Sequence, residues 1–153
     1  MCIRDSLSAT YTEYTYPNTP YTTDREVAFA IGKTIKAIGE SEFNPSITFN
    51  YGVDGAIKND WYIQGGVDYT KKLTDALKFV SGVKVGYVVD AGAVKGPDGL
   101  NDTTAKTGLS YELAKNWSLN GSLNYVVQMN DKVLTDIEYD KPVFGMLGVA
   151  CNF

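Results

Sequence analysis

The chain has 153 residues, with 14 Lys and Arg against 18 Asp and Glu, a formal net charge of −4, 15 glycines, 12% aromatic residues and no histidine. That length allows one domain with a real core. Low charge and aromatic richness exclude disorder, no stretch reaches the ~20 unbroken apolar residues of a membrane helix, and no basic run offers a nucleic-acid footprint. Without histidine the commonest general base and metal ligand is missing, so neither an enzyme nor a cofactor or metal site is expected.

In chain order, Met1 to Ser6 comes first and resembles the translation of a sequencing adaptor. It is set apart from the fold, which leaves 7–153 as one domain truncated at its N-terminus. With Cys2 set aside, Cys151 has no partner for an intrachain disulfide. A weak first strand is predicted around Ala9 to Tyr16. From Val27 onward a two-residue period holds its phase to Phe153, the signature of strands with one apolar face.

Odd positions carry the apolar side chains: Val27, Phe29 and Ile31, then Ile47, Phe49, Tyr51 and Val53, then Trp61, Ile63, Val67 and Tyr69. Leu77, Phe79, Val83, Val85, Tyr87 and Val89 follow, then Leu109, Tyr111 and Leu113, then Trp117, Leu119, Leu123, Tyr125 and Val127. Even positions are mostly Gly, Ser, Asn and Thr. With a last strand at Val143 to Phe153, eight strands are predicted. Lys71 to Asp75 and Ala114 to Asn116 read as short turns, and Asp90 to Asp102 and Gln128 to Lys141 as long loops. Lys33 to Asn44 reads as a longer turn, with Ile35 and Ile38 helical, on the side of the short ones.

Alternating short and long connections, a sparsely charged polar face and aromatics at strand ends point to an antiparallel up-and-down transmembrane β-barrel rather than a soluble one, whose apolar face turns inward. Trp61 and Tyr69, Phe79 and Tyr87, and Trp117 and Tyr125 are each eight residues apart. On a strand tilted near 40° that climb is roughly 21 Å, close to the apolar band of about 25 Å between two aromatic girdles. Tyr111 joins the girdle.

On the polar face the charges are few. A symmetric turn at Lys71 to Asp75 sets Asp68 against Lys78 and Tyr62 against Lys84, and leaves Lys84 and Lys106 as lumen cations near mid-height. Glu26, Asp54 and Asp90 lie towards the outer mouth. Asp98 to Asp102 lacks the spacing of a calcium loop, and Gly82 and Gly86 lack the Lys-Ser/Thr ending of a phosphate loop.

The stretches Tyr14 to Thr19, Asn44 to Tyr51, Gly99 to Asp102 and Gly145 to Phe153 are similar to the C-terminal portion of uncharacterised outer-membrane barrels of the porin type, the TorF-like family. The resemblance implies further upstream strands, about twelve in all, and passive diffusion of small solutes across the bacterial outer membrane. It also implies as partners the outer-membrane lipid and a barrel-assembly machinery that reads Gly148, Cys151 and Phe153, although Met146 stands where a polar residue is usual. The other reading of the same residues is a plugged envelope barrel that docks a partner and conducts nothing.

Overall fold

The computed structural model describes residues 3–17, 22–37, 39–89, 97–130 and 142–151. Eight strands form one sheet in chain order: β1 (Ile3–Tyr14), β2 (Asp24–Ala37), β3 (Ser41–Asp54), β4 (Trp61–Lys72), β5 (Leu77–Val89), β6 (Gly99–Ala114), β7 (Trp117–Gln128) and β8 (Val143–Cys151). Every neighbouring pair is antiparallel. The fold is therefore all-β, an up-and-down half-barrel, and β1 and β8 do not pair among the described residues.

The eight strands match the predicted number, and most run longer than the apolar alternation alone suggested. Lys33 to Asn44 is neither a long turn nor helical: β2 runs to Ala37, β3 begins at Ser41, and Gly39 and Glu40 turn the chain in the left-handed region, at φ 75° and 57°. Proline removes a ladder donor and is uncommon inside a sheet. Here Pro45 sits within β3, opposite Val67 on β4, while the β2 ladder skips Lys33 and Thr34. The Thr34 hydroxyl donates to Asn44 Oδ1 at 2.8 Å across that gap. Gly99 to Asp102, read as loop, begins β6, and β1 starts inside the adaptor-like segment, with Ile3 opposite Ile35. Ile38, Asp90, the stretch 131–141 and Phe153 lie outside the described residues.

Turns on one side are then uniformly short, at 38–40, 73–76 and 115–116, and those on the other are longer. The longer connection after β3 holds a 3-10 turn, Gly55–Ile57, tied down where Gly52 N–H donates to the Asp60 carbonyl at 3.0 Å.

Burial is inverted relative to a water-soluble fold. Val88 is the one buried hydrophobic side chain among the described residues, whereas Asp24, Ser41, Asn101, Asp102 and Asn124 are buried. Odd-position side chains stand in the open, Leu123 at 60% and Leu147 at 80% exposure. The even face holds the hydrogen bonds and the odd face the apolar surface.

Candidate functional site: the lumen face and the aromatic rows

Strand register decides which side chains of the polar face meet. At the β4–β5 turn, Leu73 and Thr74 N–H donate to the Leu77 carbonyl and Leu77 N–H donates to Thr74 Oγ1 at 3.0 Å. The turn is thus Leu73 to Ala76, and the two strands pair about Asp75, two residues beyond the predicted centre. Each partner therefore moves by four residues, an even number that keeps every side chain on its face and changes every pair. Asp68 lies opposite Gly82 instead of Lys78, Tyr62 opposite Val88 instead of Lys84, Lys84 opposite Gly66, and Lys78 opposite Lys72.

Lys106 is also not left alone. Asp68, Gly82 and Lys106 occupy one row across β4, β5 and β6, and Asp68 Oδ1 reaches Lys106 Nζ at 2.9 Å over the glycine between them. A Cβ at Gly82 would overlap the Asp68 carboxylate. The same device recurs above. Tyr62 lies across Gly86, where a Cβ would meet its ring, and its hydroxyl donates to Asp102 Oδ1 at 2.7 Å. Asn101 Nδ2 donates to the same oxygen at 2.9 Å and Gln64 Nε2 donates to the Tyr62 hydroxyl at 3.1 Å. A bulge opposite Gly86 brings Asn101 and Asp102 there together, which no alternation in the sequence announces. The stem of Lys84 lies against Gly66. Its ammonium has no ion-pair partner among the described residues, so Lys84 is the uncompensated charge of the mid-height wall.

At the end of the sheet that carries the longer connections, Asp24 accepts from the Tyr16 hydroxyl at 2.7 Å and from Ala56 N–H at 2.6 Å, and Arg25 pairs with Asp54 at 2.9 Å. The hydrogen bond to Asp24 holds the Tyr16 phenol above its usual pKa. At the opposite end Lys72 pairs with Asp75 at 2.8 Å, and that contact holds the Asp75 carboxyl below its usual pKa.

The aromatic side chains of the odd face form two rows. Phe43 and Tyr69 are direct partners with ring centroids 5.1 Å apart; Phe79 opposes Lys71, two residues past Tyr69; and Tyr111 opposes Leu77, two residues past Phe79. Trp117 lies two residues past Leu119, the partner of Tyr111. In the other row Tyr51 and Trp61 are partners at 4.8 Å, Tyr87 opposes Ile63, and Tyr125 opposes Ala105. Both rows drift along the strands in the same sense. Six residues of drift over four strand steps, set against a strand spacing near 4.8 Å, correspond to a tilt of about 45°, as for level rings on the tilted strands of a barrel.

Phe43 and Tyr51 are a fourth pair eight residues apart, and the spacing rule finds them once Lys33 to Asn44 is not read as a turn. Between the rows no odd position of β3 to β8 carries a charge. On β2, Lys33 pairs with Asp5 at 3.9 Å and lies two residues before Ile35, the partner of Phe43, where continued drift puts the inner row. Gly148 opposes Asn120 and Cys151 opposes Trp117. Among the described residues no three Cys, Asp or Glu side chains converge as metal ligands.

No family model matches the chain, and no curated protein matches it. A solved structure described as "De novo design of transmembrane beta-barrels" aligns over 97% of this chain and 92% of its own, at 12% identity and a TM-score of 0.41. The fold itself rests on the strand ladder.

Proposed function

We propose that the chain forms the wall of an outer-membrane β-barrel and that its role is passive diffusion of small solutes. The observation that carries this reading is the odd face: a charge-free apolar band between two level aromatic rows, exposed where a water-soluble protein would bury it. Lipid is the solvent that suits this face, and paired strands satisfy one another's backbone groups there without water, with the edges of β1 and β8 paired in the complete barrel.

Glycines support a conducting lumen over a plugged one. Because Lys84, Asp68 and Tyr62 lie down across Gly66, Gly82 and Gly86, the long polar side chains follow the wall instead of filling the interior. Solutes would pass in water along Ser, Thr and Asn side chains, with Lys84 setting a mild preference for anions, because a fixed lumen charge raises the local counter-ion concentration.

Reversal potentials across a planar bilayer in a salt gradient test this. Lys84→Glu is expected to move selectivity towards cations. Asp68→Asn, which uncovers Lys106, is expected to move it towards anions. Channels indifferent to both substitutions contradict the assignment of Lys84, and a refolded barrel without channels contradicts conduction and favours the plugged envelope barrel.

A further inference from the structure

Strand β8 departs from the pattern of its neighbours. Its even positions are Phe144, Met146, Gly148 and Ala150, so the lumen side of this strand is apolar like its outer side, and Phe144 and Met146 are 43% and 61% exposed. Beside it a cavity of about 280 Å³ opens on the even face, lined by Val80, Lys106, Asn120, Ser122, Met146 and Gly148. Space continues over Gly148, where an added Cβ would have nothing within 4 Å.

The charges and polar atoms of the lining define what fits. Lys106 is the one charged lining residue and is held by Asp68 at 2.9 Å, so the cavity carries no net charge. An anion would have to displace Asp68, and a cation would meet Lys106. One Asn120 Nδ2 proton goes to Ser118 Oγ at 3.3 Å, and Asn120 Oδ1 is left as an acceptor; Ser122 Oγ accepts from Asn124 Nδ2 at 3.2 Å, which leaves its hydroxyl proton to donate. A hydroxyl group both donates and accepts; Ser110 adds a further hydroxyl to the lining, and Val80, Leu109, Met146 and Leu147 make its apolar walls.

We propose that this cavity binds a small uncharged amphiphile of the alcohol class, its hydroxyl between Asn120 and Ser122 and its apolar body against Met146 and Val80 over Gly148. The site rests on the reading of the even face as a water-accessible lumen.

The experiment uses the refolded protein in lipid nanodiscs with ¹³C-methyl methionine, titrated with benzyl alcohol and separately with benzoate. Benzyl alcohol is expected to shift the Met146 methyl saturably and leave Met129 unmoved, benzoate to bind at least tenfold more weakly, and Gly148→Val to remove the shift by filling the space. A shift that never saturates, equal binding of benzoate, or indifference to Gly148→Val overturns the site, and the wild-type titration decides even if the variant does not fold. A water-soluble paramagnetic reagent separates the two claims. Broadening of the Met146 methyl without a saturable shift sinks the binding site alone, whereas no broadening sinks the lumen reading beneath it.

Discussion

At the scale of single residues the two faces of the sheet ask opposite things of a side chain. Val83, 47% exposed, lies midway between Phe79 and Tyr87 on the apolar face, and Asn120 is on the polar one. Val83→Arg is expected to lower folding free energy in lipid by about 2–4 kcal/mol, and Asn120→Arg by clearly less, because the first puts a charge at the bilayer centre. Chemical denaturation of vesicle-refolded protein measures both, and the reverse order contradicts the assignment of faces. Glycines give a second contrast. Gly82→Val drives a side chain into the Asp68 carboxylate and is expected to destabilise by about 1–3 kcal/mol. Gly65, on the apolar face with nothing within 4 Å of an added Cβ, is expected to accept valine within ~0.5 kcal/mol or to gain from its strand propensity. Equal effects at the two positions would show that Gly82 is not a passage for the Asp68–Lys106 pair.

At the scale of elements, the period of two made the strands and their faces legible, because each side chain's face depends only on parity. Register was not legible. Parity is unchanged by a four-residue slide, so nothing in the alternation distinguished strands paired about Leu73 from strands paired about Asp75; the Thr74 hydroxyl bond to Leu77 N–H decides it. Every contact on the polar face inherits that choice, which is why alternation puts the lysines and Asp68 on one face and yet does not give their partners. The end of β2 was hidden for a different reason: Lys33 stands at an odd position, so the apolar alternation breaks there although the strand runs on to Ala37. Of the aromatic rows, spacing alone reveals Trp61 with Tyr69, Phe79 with Tyr87 and Trp117 with Tyr125, but not Phe43 with Tyr51. Their alignment predicts that Tyr51 and Trp61 are energetically coupled, by about 0.5–1.5 kcal/mol in a double-mutant cycle to alanine, while Tyr51 and Tyr87, which are not register partners, are coupled far less. Equal coupling of the two pairs would contradict the register of β3 on β4.

At the scale of the whole molecule, stability cannot come from a buried apolar core, since among the described residues one hydrophobic side chain is buried. It comes from the ladder, the hydrogen-bonded polar face and the solvent that the outer face meets. The most direct test of the account is therefore which solvent each residue of one strand meets. Nitroxide labels placed singly from Ser81 to Gly86 in the protein refolded into lipid would be relaxed either by oxygen, which dissolves in the bilayer, or by a water-soluble nickel chelate. The account predicts oxygen relaxation at Ser81, Val83 and Val85 and nickel relaxation at Gly82, Lys84 and Gly86. The opposite phase, or no alternation along the strand, would contradict it.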